Sequence, residues 1–139
     1  MTDTTPRHWN PEGISDPIGK YSHLTLVPPG SALLFIAGQV GTGPDGEIAD
    51  DSYQQTLTTF HNIESLLDAA GLRPVHLVRL LSFVAGAAAL TGYYAARDEV
   101  YARWFGSREY PGHSLAVVAA LAKPQLFVEI EGWAAVPPS

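Results

Sequence analysis

"VHLVRLLSFV", residues 75–84, decides how the chain folds, because it is apolar almost throughout and lies between two helical stretches. Its β-branched and apolar side chains occupy both alternating faces, which fits a strand covered on both sides better than another helix. Upstream, from Ser52, the apolar residues Tyr53, Leu57, Phe60, Ile63, Leu67 and Ala70 recur in steps of three and four and draw one stripe along a helix. Asp51 or Ser52 caps its start and Gly71 its end. Downstream, Tyr93, Arg97, Val100, Tyr101 and Trp104 draw a second stripe, with Thr91 as its cap and Gly106 as its stop.

The remaining segments read as strands. "HLTLV" (23–27) ends at Pro28-Pro29-Gly30 and is followed by "ALLFIAGQV" (32–40), so the two read as a hairpin. The stretch before them, to about Lys20, is rich in Pro, Gly and Asp and is expected to run over the surface. "HSLAVVAAL" (113–121) and "LFVEIEGWAAV" (126–136) close the chain on either side of a turn at Lys123-Pro124. The order is β-β-α-β-α-β-β, an α+β arrangement in one domain over residues 1–139.

Composition narrows the partners. With 46% apolar residues the chain can build a real core, and only 16% are charged, against a typical quarter. A subunit interface is the expected cover for the uncharged surface. The net charge is −6 and the eight Lys and Arg are scattered singly, so no basic stripe is available for nucleic acid. There is no cysteine, which removes disulfides, thiolate chemistry and Cys-based zinc sites. "MTDTTPRHWNPEG" has no signal-peptide core and no run reaches the length of a membrane span, so a soluble, cytoplasmic protein is expected.

Several patterns bear on chemistry. "GTGPDG" (41–46) matches the G-x-G-x-x-G phosphate loop, but that motif needs a helix to begin at its last glycines, and Pro44-Asp45-Gly46 is a turn. The histidines at 8, 23, 61, 76 and 113 have no ligand spacing, so neither a metal nor another cofactor is expected. No G-x-S-x-G elbow exists for a nucleophilic serine. In the last strand, alternation puts Phe127, Glu129, Glu131 and Trp133 on one face and Leu126, Val128 and Ile130 on the other. One of these glutamates, set between aromatics, is a candidate general base for water; the alternative is an ordinary solvated sheet face or a subunit interface. His113 shares its face with Leu115 and Val117 at the end of an apolar row, either as a group in a cleft or as a satisfied terminal histidine.

"IGKYSHL" (18–24), "IAGQVGTGPDGEI" (36–48), "LLDAAGL" (66–72) and "YPGHSLAVVAALAKPQLFVEIEGWA" (110–134), taken in order, resemble the Rid (YjgF) family, which hydrolyses reactive enamines and imines to carbonyl compounds and ammonia. The resemblance implies a chorismate-mutase-like fold, with two helices on one face of a mixed sheet, assembled as a homotrimer with small-molecule clefts between subunits. The family's G-x-Y-S falls on Gly19–Ser22, which makes Tyr21 a cleft-lining candidate, and its water-linked glutamate falls on Glu129. Its S-G-Q is here Ala37-Gly38-Gln39, so one hydroxyl is missing. Its P-x-R-S, whose arginine grips a substrate carboxylate, is Pro111-Gly112-His113-Ser114. A neutral imidazole cannot replace a two-pronged guanidinium. The expectation is a poor 2-aminoacrylate deaminase that acts on another, uncharged imine, enamine or enol through Glu129, His113 and Tyr21; a non-catalytic trimeric ligand-binding protein is the alternative. Ser114, Gln39, Tyr94 and Trp133 complete the candidate substrate walls, and extra residues around "AGAAALTGYY" reshape one of them.

Overall fold

A computed structural model describes residues 3–139 of the chain. Its elements are β1 (Arg7–Trp9), β2 (Leu24–Leu26), β3 (Ala32–Val40), α1 (Ser52–Ala69), β4 (Leu77–Ala85), α2 (Leu90–Phe105), β5 (Gly112–Val118) and β6 (Val128–Val136). The stretch at 75–84 is a strand, preceded by a single 3-10 turn at Pro74–His76. β4 lies inside a four-stranded mixed sheet of order β3-β6-β4-β5, antiparallel to β6 and parallel to β5.

α1 begins where expected: Asp51 accepts a hydrogen bond from the Gln54 amide at 2.8 Å, and Gly71, at φ +73°, turns the chain away at the other end. α2 differs at its start. A 3-10 turn over Ala87–Ala89 leads into it, the capping position is Ala89, and Thr91 caps nothing. That turn supplies acceptors for the amides at the entry to the helix: the Ala89 N–H donates to the Gly86 carbonyl and the Leu90 N–H to the Ala87 carbonyl. Gly106, at φ +55°, ends α2 as read from the sequence.

Both helices pack on one sheet face. Phe60, Ile63 and Leu67 from α1, and Val100, Tyr101 and Trp104 from α2, join Ile36, Leu80, Val84, Val128 and Ile130 in one buried cluster. Gln55 ties this layer together: its amide donates to the carbonyls of Ala49 and Gln125 and accepts from the Phe127 amide, each at 2.8 Å. A fully buried polar side chain is stable here because each of its bonds is made.

Four expectations change. The N-terminal stretch is not all loop, since Arg7–Trp9 form β1, and β2 pairs with it (His8 opposite Thr25) rather than with β3. Two consecutive prolines after β2 lack amide donors and force extended backbone before them, so a ladder cannot run across the turn into β3. β3 pairs instead along β6, with Phe35 opposite Trp133. β4 is covered on one face only: Leu80, Ser82 and Val84 are buried under the helices, while Arg79, Leu81 and Phe83 are half-exposed on the other. On that open face Leu33 is 50% exposed and Phe35 66%. β5 stops at Val118, short of Leu121.

Candidate active site

His113 is the second residue of β5, an edge strand, and lies opposite Leu80 of β4. Because Leu80 and Ser82 face the helices, so does the imidazole. Its Nε2 lies 2.9 Å from Ser82 Oγ and 3.2 Å from the Tyr93 hydroxyl, and Tyr93 itself donates to Ser82 at 2.8 Å. Burial, followed by the charges of Arg97 and Arg79, pushes the His113 pKa down to about 4. Burial raises that of Tyr93 to about 12. His113 is therefore a neutral imidazole at pH 7, satisfied on one nitrogen and without a partner on the other among the described residues.

Tyr21 reaches the same place from the segment before β2. Its neighbour Ser22 donates its amide to the Pro111 carbonyl at 3.4 Å, which ties this segment to the root of β5. Tyr21, His113 and Ser114 then form a wall between two hollows. One, of about 580 Å³, is closed by Lys20, Tyr94 and Arg97. The other, of about 330 Å³, is closed by His23, Arg79 and Trp133. Arg79 donates to Ser114 Oγ at 2.9 Å and lies 5.6 Å from the centre of the Trp133 ring.

Glu129 is elsewhere. Val128 and Ile130 point into the core, as alternation requires, so Glu129, Glu131 and Trp133 share the open face. The Glu129 carboxylate lies against the β-bulge of β3, where a Cβ added to Gly38 would sit 2.5 Å from Oε2. Only glycine leaves room for it. Glu129 is opposite Phe83 and His113 opposite Leu80, so within one chain the two candidates are on opposite sides of the sheet and cannot flank one ligand. The expected pairing of Glu129 with His113 therefore requires two copies of the chain. Gln39 is also apart: its amide donates to the Ala37 carbonyl at 3.0 Å, and β3 is the far edge from β5.

The other patterns resolve as structure. Residues 41–46 form a turn closed by a Thr42–Ile48 bridge, with Gly46 at φ +81° and no helix start. His76 Nδ1 accepts from the Arg73 amide at 3.0 Å, and His8 Nδ1 lies 2.7 Å from Thr25 Oγ1. No group of three His, Asp or Glu placed to hold a metal occurs among the described residues, and no helix there is long and apolar enough to cross a membrane. Sequence reading passed over the three cations at the hollows: Lys20, Arg79 and Arg97. The signal was present in two of them, since Arg79 interrupts an apolar strand and Arg97 falls within the apolar stripe of α2.

Comparison with known proteins places this geometry. A RutC family protein of Aquifex aeolicus is 30% identical over 69 residues, 49% of this chain; the match spans about half (53%) of that relative. TdcF of Escherichia coli, whose name assigns it provisionally to the reactive intermediate deaminases, is 29% identical over 103 residues, 72% of this chain and 76% of its own. Among solved structures, the Rid family protein YyfB of Yersinia pestis superposes with a TM-score of 0.80 at 31% identity, covering 95% of this chain and 99% of that one. TdcF with bound serine superposes at 0.68 with 27% identity, covering 85% and 89%. The model of the family described as Endoribonuclease L-PSP matches residues 13–136. With the two helices, the mixed sheet and the root of β5 arranged as above, the chain belongs to this YjgF/Rid family.

Proposed function

We propose that the protein is a small-molecule enzyme that hydrolyses an imine or enamine in a cleft completed by a second copy of the chain. Water adds to the imine carbon, a proton passes to nitrogen, and the C–N bond breaks to leave a carbonyl compound and ammonia. The observation that carries this reading is the division of the site. Tyr21, His113 and Ser114 converge at the edge strand and Glu129 stands on the opposite, open face; in the proposed assembly a second copy laid against that face brings one set to the other. The exposed Phe35, Leu33 and Trp133 supply apolar area for such a contact, and three copies close a ring.

In this arrangement neutral His113 offers its Nδ1 proton to a substrate heteroatom, Tyr21 lines the cavity beside it, and Glu129 of a neighbouring copy accepts a proton from the attacking water. The sheet register and the relatives' names support the reading, and so does the acidic balance, fourteen Asp and Glu against eight Lys and Arg, which opposes RNA as substrate despite the family model's description. The test is release of ammonia and carbonyl product from imines and enamines generated in situ. Activity should fall at least 100-fold in Glu129→Gln and at least 10-fold in His113→Ala, both folded by circular dichroism. A wild type that is inert on every imine yet stabilised by small ligands would be a binding protein instead.

A further inference from the structure

Ser82 and Tyr93 are buried polar groups to which the proposed chemistry assigns no part. Both are fully covered, Ser82 on the helix-facing side of β4 and Tyr93 on α2. Their hydroxyl oxygens lie 2.8 Å apart, and Nε2 of His113 stands 2.9 Å from the first and 3.2 Å from the second. Two elements thus reach one nitrogen of the ring that β5 carries. The hydrogens of this cluster can be counted. If Nε2 is protonated, it donates to one of the two oxygens, and one hydroxyl hydrogen is then left without an acceptor among the described residues, whichever oxygen takes the ring's. If Nε2 is bare, Tyr93 donates to Ser82, Ser82 donates to the ring, and every hydrogen has a partner. A stranded hydroxyl in a fully covered position carries a desolvation cost that the second arrangement avoids.

Two further features act on the same ring. Tyr93 keeps its own proton, since burial raises its pKa to about 12, and the charges of Arg97 on α2 and Arg79 on β4 oppose a second proton on the imidazole. Nδ1 has no protein partner among the described residues, and His113 lines both hollows. We propose that Ser82 and Tyr93 are positioning residues, which occupy the Nε2 lone pair from the buried side, fix the ring as the Nδ1–H tautomer and leave that hydrogen for a bound ligand. Free histidine favours the other tautomer, so the selection is made by what the ring meets at Nε2. The hydrogen stays on the ring and is donated as a hydrogen bond to the ligand's heteroatom. This rests on the reading of the space beside His113 as the substrate site.

Long-range proton–nitrogen NMR of the assembled protein, labelled in histidine and held at pH 7, reads the tautomer directly; the His113 signals are those absent from His113→Gln. Wild type is expected to show Nδ1 protonated and Nε2 bare. Ser82→Ala and Tyr93→Phe each leave one hydroxyl against Nε2 and should keep that tautomer, with imine hydrolysis reduced a few-fold. The double variant Ser82→Ala/Tyr93→Phe removes both. Its ring, with no polar group behind it, should lose the single state and give averaged nitrogen shifts, and hydrolysis should fall at least tenfold, to the level of His113→Ala. Ser82→Thr/Tyr93→Phe restores one hydroxyl and should restore the tautomer. An Nε2–H tautomer or a doubly protonated ring in the wild type overturns the proposal whether or not any variant folds, and so does a double variant that keeps the wild-type tautomer. The expected tautomer, dependent on the two hydroxyls, in a protein that hydrolyses no imine would refute the hydrolytic reading and leave the positioning standing. Hydrolysis at the wild-type rate in a double variant whose tautomer has changed would do the reverse.

Discussion

Lowering the pH should expose the neutrality of His113 as a loss of stability. Burial under α2 sets its folded pKa at about 4, against 6.5 for the free side chain. Between these values the unfolded chain binds a proton that the folded chain refuses, so stability is complete above about pH 6.5 and is lost as the pH falls toward 4. Evaluated between pH 7 and pH 5, the linkage relation gives a loss of about 2 kcal/mol from this one ring. His8 titrates in the same direction, its pKa also lowered to about 4 by burial, and the carboxylates contribute their own slope, so wild type alone cannot isolate the effect. The comparison is with His113→Gln, which keeps an acceptor for Ser82 and has no proton to refuse. Urea denaturation at fixed protomer concentration, at pH 7 and pH 5, measures both. A lower stability of the variant at pH 7 leaves the test intact, because the test is the difference between the two slopes. Wild type should lose about 2 kcal/mol more than His113→Gln over this interval. Equal losses, within about 0.5 kcal/mol, would show that the ring is already solvated or charged and would remove the neutral donor from the mechanism.

Other perturbations have separable signatures. Gly38→Ala puts a methyl 2.5 Å from Glu129 Oε2, the mobile end of a side chain, so the melting temperature should hardly move while imine hydrolysis falls at least tenfold; a stable, fully active variant would detach Glu129 from the chemistry. Gln55→Leu deletes three buried hydrogen bonds and leaves the Ala49 and Gln125 carbonyls and the Phe127 amide without that partner; urea titration should show a loss of about 2–4 kcal/mol, far beyond a surface change. Phe35→Lys places a charge at the most exposed aromatic of the open sheet face; if that face is the proposed contact between copies, sedimentation should show an oligomer for wild type and single chains for the variant, and identical sedimentation of the two would refute the contact.

Much of the fold was readable because its signals are periodic. α1, β3, β4, α2 and β6 each run long enough for a period of 3.6 or 2 to declare itself, and Asp51, Gly71 and Gly106 mark their ends by chemistry that acts within one turn. β1 and β2, three residues each, are too short for any period, and their pairing depends on contact between Arg7–Trp9 and Leu24–Leu26 across a long loop. Local preference carries no information about such a pairing, which is why a hairpin between β2 and β3 was the natural and incorrect expectation. The uncovered face of β4 has a different cause. An apolar strand reads the same whether its second face is buried by this chain or left for another.

The site divides along the same line. Tyr21, His113, Ser114, Tyr94 and Trp133 were found by motif and alternation, and the fold brings them around two adjoining hollows. Alternation also contained the information that separates Glu129 from His113, but only once register is known: Phe83 opposite Glu129 and Leu80 opposite His113 differ by an odd number of residues along β4, and an odd step in a strand is a change of face. Arg97 is the converse case. It stood in plain view within an apolar helical stripe, where a charge is costly unless something answers it. Asp98 answers part of it, and the two tyrosine rings answer another part. Lys20 reaches the same Asp98 oxygen at 3.5 Å, so the partners of this buried charge come from the neighbouring position on α2, from two rings and from a distant loop, and only the fold brings the last of these to it.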